Sequence, residues 1–428
     1  MSNKQQTVTL ISQGCRLNHA ETASLINAFS EKGVKEVALN ETPDVVIVNT
    51  CTVTENGDKD TQRLIRKINK ECKHTKIALI GCQSQIKKHE LLKLENVEWV
   101  IGNEEKQNTA QIILSNKTGL HVPPIEKKTF QQGYSSFDPR HTRVNLKIQD
   151  GCDFYCSFCI IPFARGGARS REFNEIINDA TALIKLGVKE LVLTGINLGT
   201  YHESGHNFYE LLESLLKLNS LTRIRISSIE PTTIDHKLIT LWEKYPNFCR
   251  YLHLPIQSAT DEILNKMRRK YDLDEYSDYI NQVKTNVPNI CIGTDVIVGF
   301  PGESDDLFNK TKEFLHHAPI DYFHVFSYSE RTMAHSRKFD HQVSKHVIKN
   351  RSEQLRFLHN QKWQTYLNSF KYKNVPVLFE QKKGEYWVGS TEHFIKVKVK
   401  SDVNLKNKLM NVYLDDVINN DMIGQINE

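Results

Sequence analysis

A three-part α/β chain is predicted by three features of the sequence. Apolar strand segments alternate with helical ones up to about residue 105. Six more such alternations follow between about 142 and 330. The last sixty or so residues read as short strands separated by turns. The expected architecture is therefore an N-terminal doubly wound parallel-sheet domain (1–105), a linker (106–141), a central open (β/α)6 barrel with a following helix (142–365), and a small antiparallel β-barrel (366–428). A length of 428 residues suits two or three domains.

In the first domain "TVTLIS" reads as a buried strand. "NHAETASLINAFSEKG" places Leu25, Ile26 and Phe29 on one helical side and stops at Gly33. "DVVIVN", "KIALIG" and "VEWVIG" continue the strands, and "ENGDKDTQRLIRKINKEC" is the second helix. The segment "HVPPIEKKTFQQGYSSFDPRH" is rich in Pro, Gly, Ser and charge, which marks a boundary. The barrel strands are "VNLKIQ", "ELVLTG", "RIRISS", "YLHLPI", "CIGTDVIVG" and "YFHVFSYS". A full eightfold barrel needs about 250 residues, so this shorter segment fits an open six-unit form. A long helix, "HVIKNRSEQLRFLHNQKWQTYLNSF", precedes four short strands: "NVPVLFEQ", "EYWVGST", "FIKVKVK" and "MNVYLDDV".

The composition is that of a soluble globular protein, 39% apolar and 25% charged. With no run of eighteen apolar residues and no secretory apolar segment, no membrane association is expected, and the expected location is the cytoplasm. Net charge is +5, unevenly spread: Arg331 to Lys408 holds 17 Lys/Arg against 6 Asp/Glu, leaving the remainder acidic. A basic segment on an acidic body suits a polyanion partner such as nucleic acid.

Nine cysteines form an odd count, which argues against a disulfide framework. Cys72, Cys249 and Cys291 read as small buried apolar residues. The other six form two trios. Cys15, Cys51 and Cys82 each lie just past a predicted strand, in "LISQGC", "VIVNTC" and "ALIGC". The carboxyl ends of parallel strands share one edge, so three thiols distant in sequence converge there. Cys152, Cys156 and Cys159 sit in "DGCDFYCSFCIIPFARGGARSR", the first strand-to-helix loop of the barrel, which opens onto its catalytic face. Zinc prefers four ligands and paired C-x-x-C units. Fe–S clusters are normally held by four cysteines, so a three-cysteine site leaves one iron open to a substrate or cofactor.

The C-x-x-x-C-x-x-C spacing after the first barrel strand resembles the radical S-adenosylmethionine (SAM) enzymes. The resemblance extends along nearly the whole chain. "QGCRLNHAET", "DVVIVNTCTVT" and "GCQSQ" look like the N-terminal domain of the methylthiotransferases, and "HLPIQSATDEILNKMRRKY" and "GTDVIVGFPGES" look like later parts of their radical domain. The last barrel is placed like their TRAM domain, an RNA-binding module. The resemblance implies two 4Fe-4S clusters, an auxiliary one on Cys15, Cys51 and Cys82 and a radical-generating one on Cys152, Cys156 and Cys159. It also implies two SAM molecules per turnover, one methylating sulfur and the other abstracting hydrogen from adenine carbon 2. The expected partners are tRNA and a reducing protein such as a flavodoxin or ferredoxin. "CIIPFARGGARSR" and "LTGINLGTY" look most like the branch that acts on N6-threonylcarbamoyladenosine at tRNA nucleotide 37. Two departures stand out. Gln83-Ser84 replaces an aromatic-Ala pair, and "SYSERTMAHS" lacks a Pro-Gly turn, which puts a loop near the substrate in doubt.

Candidate SAM contacts are Asn197 in "TGIN", Gln257 after "HLPI", Gly293 and Asp295 in the fifth barrel strand, and Arg165 after the cysteine loop. Arg143, Arg169 and Arg171 are further basic candidates for carboxylate or phosphate, against salt bridging within the barrel. "MRRKY" (267–271) reads as an exposed helix end. Candidate RNA contacts are Lys382, Lys383, Lys396, Lys398 and Lys400, interleaved with Phe379, Tyr386, Trp387 and Phe394, some of which must fill the small core. Competing readings are the methylthiotransferases of isopentenyladenosine or of a ribosomal-protein aspartate, and a non-enzymatic RNA-binding iron–sulfur sensor.

Overall fold

A computed structural model describes residues 5–126, 130 and 142–426. Its first sheet has six parallel strands in the order Lys35–Glu36, Thr7–Ser12, Val45–Thr50, Lys76–Gly81, Val97–Ile101, Gly119–His121. Every residue of the central strand VVIVNT is buried, as befits a parallel sheet covered on both faces. Helix Arg16–Glu31 covers one face through Leu25 and Phe29, packed with Val8, Ile47 and Trp99. Helix Glu55–Glu71 covers the other through Ile65 and Ile68, packed with Val46, Val48 and Leu79. Residues 106–121, read from the sequence as the start of a linker, instead complete this domain with helix Thr109–Leu114 and the edge strand Gly119–His121. The apolar positions Ala110, Ile112 and Ile113 explain this, because they bury against the same core. Most of the rest of that segment, 127–129 and 131–141, lies outside the described residues.

The central domain carries the six expected strands: Arg143–Lys147, Glu190–Thr194, Arg223–Ile226, Tyr251–His253, Cys291–Val298 and Tyr322–Ser327. They run as two three-stranded parallel ladders. An isolated parallel bridge from Ile224 to Phe248 links the third strand to the segment leading into the fourth, so the two ladders lie side by side. Among the described residues the first and sixth strands do not pair, which leaves the barrel open. The largest core of the protein fills this domain, with Leu146, Leu191, Leu193, Ile226, Leu252, Ile292 and Val296 beneath the flanking helices.

Helix Lys345–Asn368, capped by Ser344 Oγ on the Val347 N–H, crosses the expected boundary at 365. Its last turn puts Tyr366 and Leu367 into the core of the final domain. That domain is a closed five-stranded barrel in the order Asn374–Lys383, Tyr386–Thr391, Lys396–Lys400, Asp421–Ile426, Leu409–Ile418. The fifth strand was not expected, and it pairs parallel to Lys396–Lys400 while the other pairings are antiparallel. Its polar start and Gly424 hide an inward Met422 that is fully buried. No helix among the described residues is long and apolar enough to cross a membrane.

Candidate active site

Cys15, Cys51 and Cys82 do share one sheet edge. Cys15 is the N-cap residue of helix Arg16–Glu31, Cys51 follows strand Val45–Thr50, and Cys82 opens helix Cys82–Ile86 directly after strand Lys76–Gly81. Gly14 makes the convergence possible. It has φ of +87°, and a Cβ built on it would stand 2.5 Å from Cys51 Cβ and 2.7 Å from Cys51 Sγ. Burial pushes Cys51 up to about 11, and the neighbouring thiols of Cys82 and Cys15 add to the rise. Cys15 is raised by burial too, with Arg165 opposing.

Cys152, Cys156 and Cys159 occupy the loop after the first barrel strand, which begins with Gly151 at φ +70°. A side chain on Gly151 would strike the carbonyl oxygens of Gly166 and Gly167, so the loop folds back on itself. Cys152 N–H donates to the Gly166 carbonyl at 3.1 Å, and Ile161 N–H donates to Cys159 Sγ at 3.4 Å. Burial pushes Cys152 up to about 11 and Cys159 up to about 12. Cys156 rises less because Arg269, which donates to its Sγ at 3.4 Å, opposes the burial. Thiols so placed stay protonated until a metal's charge displaces the proton.

All six cysteines are free thiols. A single zinc ion at ~2.3 Å from each sulfur would hold them about 3.8 Å apart. Among the described residues the one group of His, Cys, Asp or Glu donors gathered within 4.8 Å lies elsewhere and contains no cysteine. The sulfurs of neither trio therefore all lie within 4.8 Å of one another, and three soft thiolates are donors of the kind iron and sulfide take.

Sequence reading missed Arg269. Its guanidinium is buried, bound to Cys156 Sγ, to the Pro255 carbonyl at 3.1 Å and to Glu230 at 2.5 Å. The preceding Met267 is fully buried and Arg268 takes φ of +60°, so "MRRKY" turns inward rather than ending exposed. Gln149 was also missed. Its Oε1 accepts from the Ile196 and Asn197 N–H groups at 2.8 and 3.0 Å, and its Nε2 donates to the Asp150 and Gly151 carbonyls. It clips the cysteine loop to "TGIN".

The arginines after the loop do not face the mouth. Arg165 is fully buried, bound to Glu21 at 2.9 Å, Asp150 at 2.9 Å and Asn18 at 2.7 Å. Arg169 is bound to Glu104 and Asp150, and Arg171 to Asp179. Arg143 pairs with Glu380 of the last domain at 3.0 Å. These cations are held by the chain's own carboxylates, so Arg165 is not available for a cofactor carboxylate. Glu21 sits at the centre of the group, with Lys106 at 2.6 Å and Lys147 at 2.7 Å. This cluster joins the first domain to the cysteine loop. Asn103 adds to the joint by donating to the Ala164 carbonyl at 2.6 Å, with Cys82 Sγ 3.6 Å away. On the other side Arg331, in "SYSERTMAHS", binds Thr52 at 2.7 Å and Asp58 at 2.8 Å, next to Cys51. Arg16, the residue after Cys15, lies 5.9 Å from the Phe394 ring, so all three domains meet near the first trio.

The remaining candidates divide. Asn197 is buried, and its Oδ1 accepts from Thr233 Oγ1 at 2.9 Å while its Nδ2 has no hydrogen-bond partner. Gln257 has φ of +67° and bridges to the fifth strand. The open face of Gly293 is filled by the Tyr322 ring, which a Cβ would overlap, so this glycine serves packing rather than ligand approach. Asp295 points to two histidines, His253 and His324. In the last barrel Lys382, Lys383, Lys396 and Lys400 are exposed and Lys398 is half-buried beside Asp421 at 2.8 Å. Phe379 and Trp387 are core residues, and Phe394 packs against Tyr251 and Tyr322 of the central domain at 4.8 and 5.8 Å between ring centroids.

Fold and site together define a radical SAM enzyme with a three-cysteine N-terminal domain. Residues 146–315 match the Radical SAM superfamily, and residues 7–102 match a group described only as Uncharacterized protein family UPF0004. The chain is similar to the radical S-adenosylmethionine methyltransferase TsrM of Kitasatospora setae, with a TM-score of 0.57, 14% identity, and coverage of 75% of this chain and 73% of that one. This likeness is one of fold. Over nearly full length, the chain is 33% identical to the threonylcarbamoyladenosine tRNA methylthiotransferase MtaB of Bacillus subtilis, covering 95% of this chain and 93% of that one. It is 34% identical to the enzyme of the same name from Aquifex aeolicus, covering 90% and 94%. The tRNA-2-methylthio-N(6)-dimethylallyladenosine synthase of Thermodesulfovibrio yellowstonii is 28% identical, covering 94% of each. The chain belongs to the radical SAM methylthiotransferase family, in the company of its threonylcarbamoyladenosine branch. It is an enzyme whose cofactors include SAM and a 4Fe-4S cluster.

Proposed function

We propose that this chain converts N6-threonylcarbamoyladenosine at nucleotide 37 of tRNA to its 2-methylthio derivative, in the cytoplasm. The observation that carries the substrate is the full-length similarity, at 33% and 34%, to two proteins bearing that name. The dimethylallyladenosine synthase at 28% is the second reading. Cys152, Cys156 and Cys159 would hold the cluster that binds SAM, and Cys15, Cys51 and Cys82 an auxiliary 4Fe-4S cluster. When bound, these groups supply a 5′-deoxyadenosyl radical and the sulfur that is transferred. Arg269 orients Cys156 and places one positive charge beside its sulfur. Gln149 fixes the loop that carries Asn197, whose unbonded Nδ2 is the best-supported candidate for a SAM contact, with Gln257 and Asp295 lining the same barrel. The Glu21 ion cluster and Arg331 hold the first trio against the barrel mouth, which brings sulfur and substrate carbon within one site. Lys382, Lys383, Lys396, Lys398 and Lys400 would contact RNA phosphates, and a flavodoxin or ferredoxin would supply the electrons. Nucleoside mass analysis of tRNA from a deletion strain tests the reading. Loss of the 2-methylthio-threonylcarbamoyl nucleoside alone supports it, whereas loss of the isopentenyl derivative supports the second reading.

A further inference from the structure

The interior of the barrel carries a group of side chains that the cluster chemistry does not use. Three adjacent parallel strands each present one polar residue on the same inward face. His253 pairs in register with Gly293, and Asp295, two residues further along the same strand, pairs with His324. Their ligand atoms all lie within 4.8 Å of one another, with His253 Nε2 3.2 Å from Asp295 Oδ1. His253 is 6% exposed, its Nε2 has no hydrogen bond, and neither has the buried Asp295 Oδ1 facing it. The other ring nitrogen, Nδ1, is 2.8 Å from Ser228 Oγ. That contact fixes the ring plane and leaves Nε2 aimed at the carboxylate, the outer-shell arrangement of a ligating histidine.

We infer that His253, Asp295 and His324 form a binding site for one divalent transition-metal ion, separate from the cysteine trios. The site would accept a hard-to-borderline transition-metal ion such as Mn²⁺, Fe²⁺ or Zn²⁺. Two imidazoles with one carboxylate suit these ions, whereas Mg²⁺ and Ca²⁺ favour all-oxygen sites. Three ligands drawn from one side of the barrel leave further coordination positions open. The site is therefore built to take an oxygen donor from a substrate as well as to hold an ion. Its place on the inward face of strands four to six puts that donor inside the barrel.

The test uses the full-length, cluster-loaded protein under anaerobic conditions, without tRNA. Mn²⁺ is the probe, because it avoids soft thiolate sites. Free Mn²⁺ is read from its electron paramagnetic resonance amplitude during a titration. The wild type should bind one Mn²⁺ per chain, saturably. His324→Ala and Asp295→Asn should weaken binding at least ~10-fold, and Ser228→Ala by about 10- to 100-fold. Iron content of the variants serves as the folding control, since His324 is exposed and Asp295→Asn keeps the side-chain shape. Saturable binding that disappears in both ligand variants, with iron unchanged, supports the site. Absence of saturable Mn²⁺ binding, together with no stoichiometric non-cluster metal in the protein as isolated, overturns it. Equal binding by wild type and both variants overturns it too. Because the readout contains no tRNA, its failure leaves the nucleoside assay of the proposed function unaffected.

Discussion

Replacing Glu21 by Gln removes the centre of the charge cluster that joins the first domain to the barrel. Glu21 is 2% exposed and contacts Lys106, Lys147 and Arg165 within 3 Å. Lys106 and Lys147 are 1% and 3% exposed and Arg165 is fully buried, so water cannot replace the missing charge. The amide keeps the shape but leaves three buried cations with Asp150, among the described residues, as the only carboxylate bonded to Lys147 and Arg165. Removing one partner of a buried pair costs about 3–5 kcal/mol, a change of roughly 10²- to several times 10³-fold in the folding equilibrium. The assay is urea unfolding of wild type and variant at pH 7, followed by a probe of the interface such as limited proteolysis. As an exposed control, Glu55→Gln, which breaks the pair with Lys59, should cost about 0.3–0.5 kcal/mol. The pH dependence has a definite sign. The three cations hold the Glu21 carboxyl well below its ordinary value of 4.5, against burial. Its stabilisation is therefore present above about pH 4.5 and lost as pH falls through the lower folded value. Wild type and variant should differ by a constant amount at pH 6–8 and converge in acid. A cost below about 1 kcal/mol at pH 7 would refute the role assigned to the cluster.

Four further outcomes are expected. Replacing Cys152, Cys156 and Cys159 together by Ala should abolish SAM cleavage to 5′-deoxyadenosine while iron at the first trio remains, as iron analysis would show. Arg269→Ala removes the hydrogen bond to Cys156 Sγ and unpairs Glu230, so cluster occupancy should fall and the reduction potential should move lower, read by spectroelectrochemical titration. Changing Lys396, Lys398 and Lys400 to Gln should weaken tRNA binding and reduce the salt slope by about 0.7–0.9 for each phosphate no longer neutralised; an unchanged slope would remove these lysines from the interface. In the metal-free protein, Cys51 at about 11 against an ordinary 9.0 should alkylate about a hundredfold more slowly than a free thiol at pH 8, with the rate rising roughly tenfold per pH unit.

Much of this organisation was legible because it rests on periodicity. The strand ends that carry Cys15, Cys51 and Cys82 follow from apolar segments whose parallel pairing puts their ends on one edge. Partners brought together by the fold across more than eighty residues were not legible. Arg165 and Glu21 lie 144 residues apart, and the same arginine reads equally well as a ligand contact. Lys106 looked like part of a linker because its buried partner is on another element. Arg269 looked like an exposed helix end, since nothing local shows that the chain turns inward at Arg268. A usable signal existed for the barrel interior: "YLHL", "GTDVIV" and "YFHVF" each set one His or Asp in an apolar strand, on adjacent strands in register.

The central claim is methylthiolation of a specific tRNA nucleoside, and reconstitution tests it most directly. The purified chain is loaded with iron and sulfide, reduced anaerobically, and given SAM with tRNA carrying N6-threonylcarbamoyladenosine. Mass spectrometry of the digested nucleosides should then show its 2-methylthio derivative, dependent on both cysteine trios. Formation of 5′-deoxyadenosine with no methylthio product on that nucleoside, but product on isopentenyladenosine tRNA, would contradict the claim.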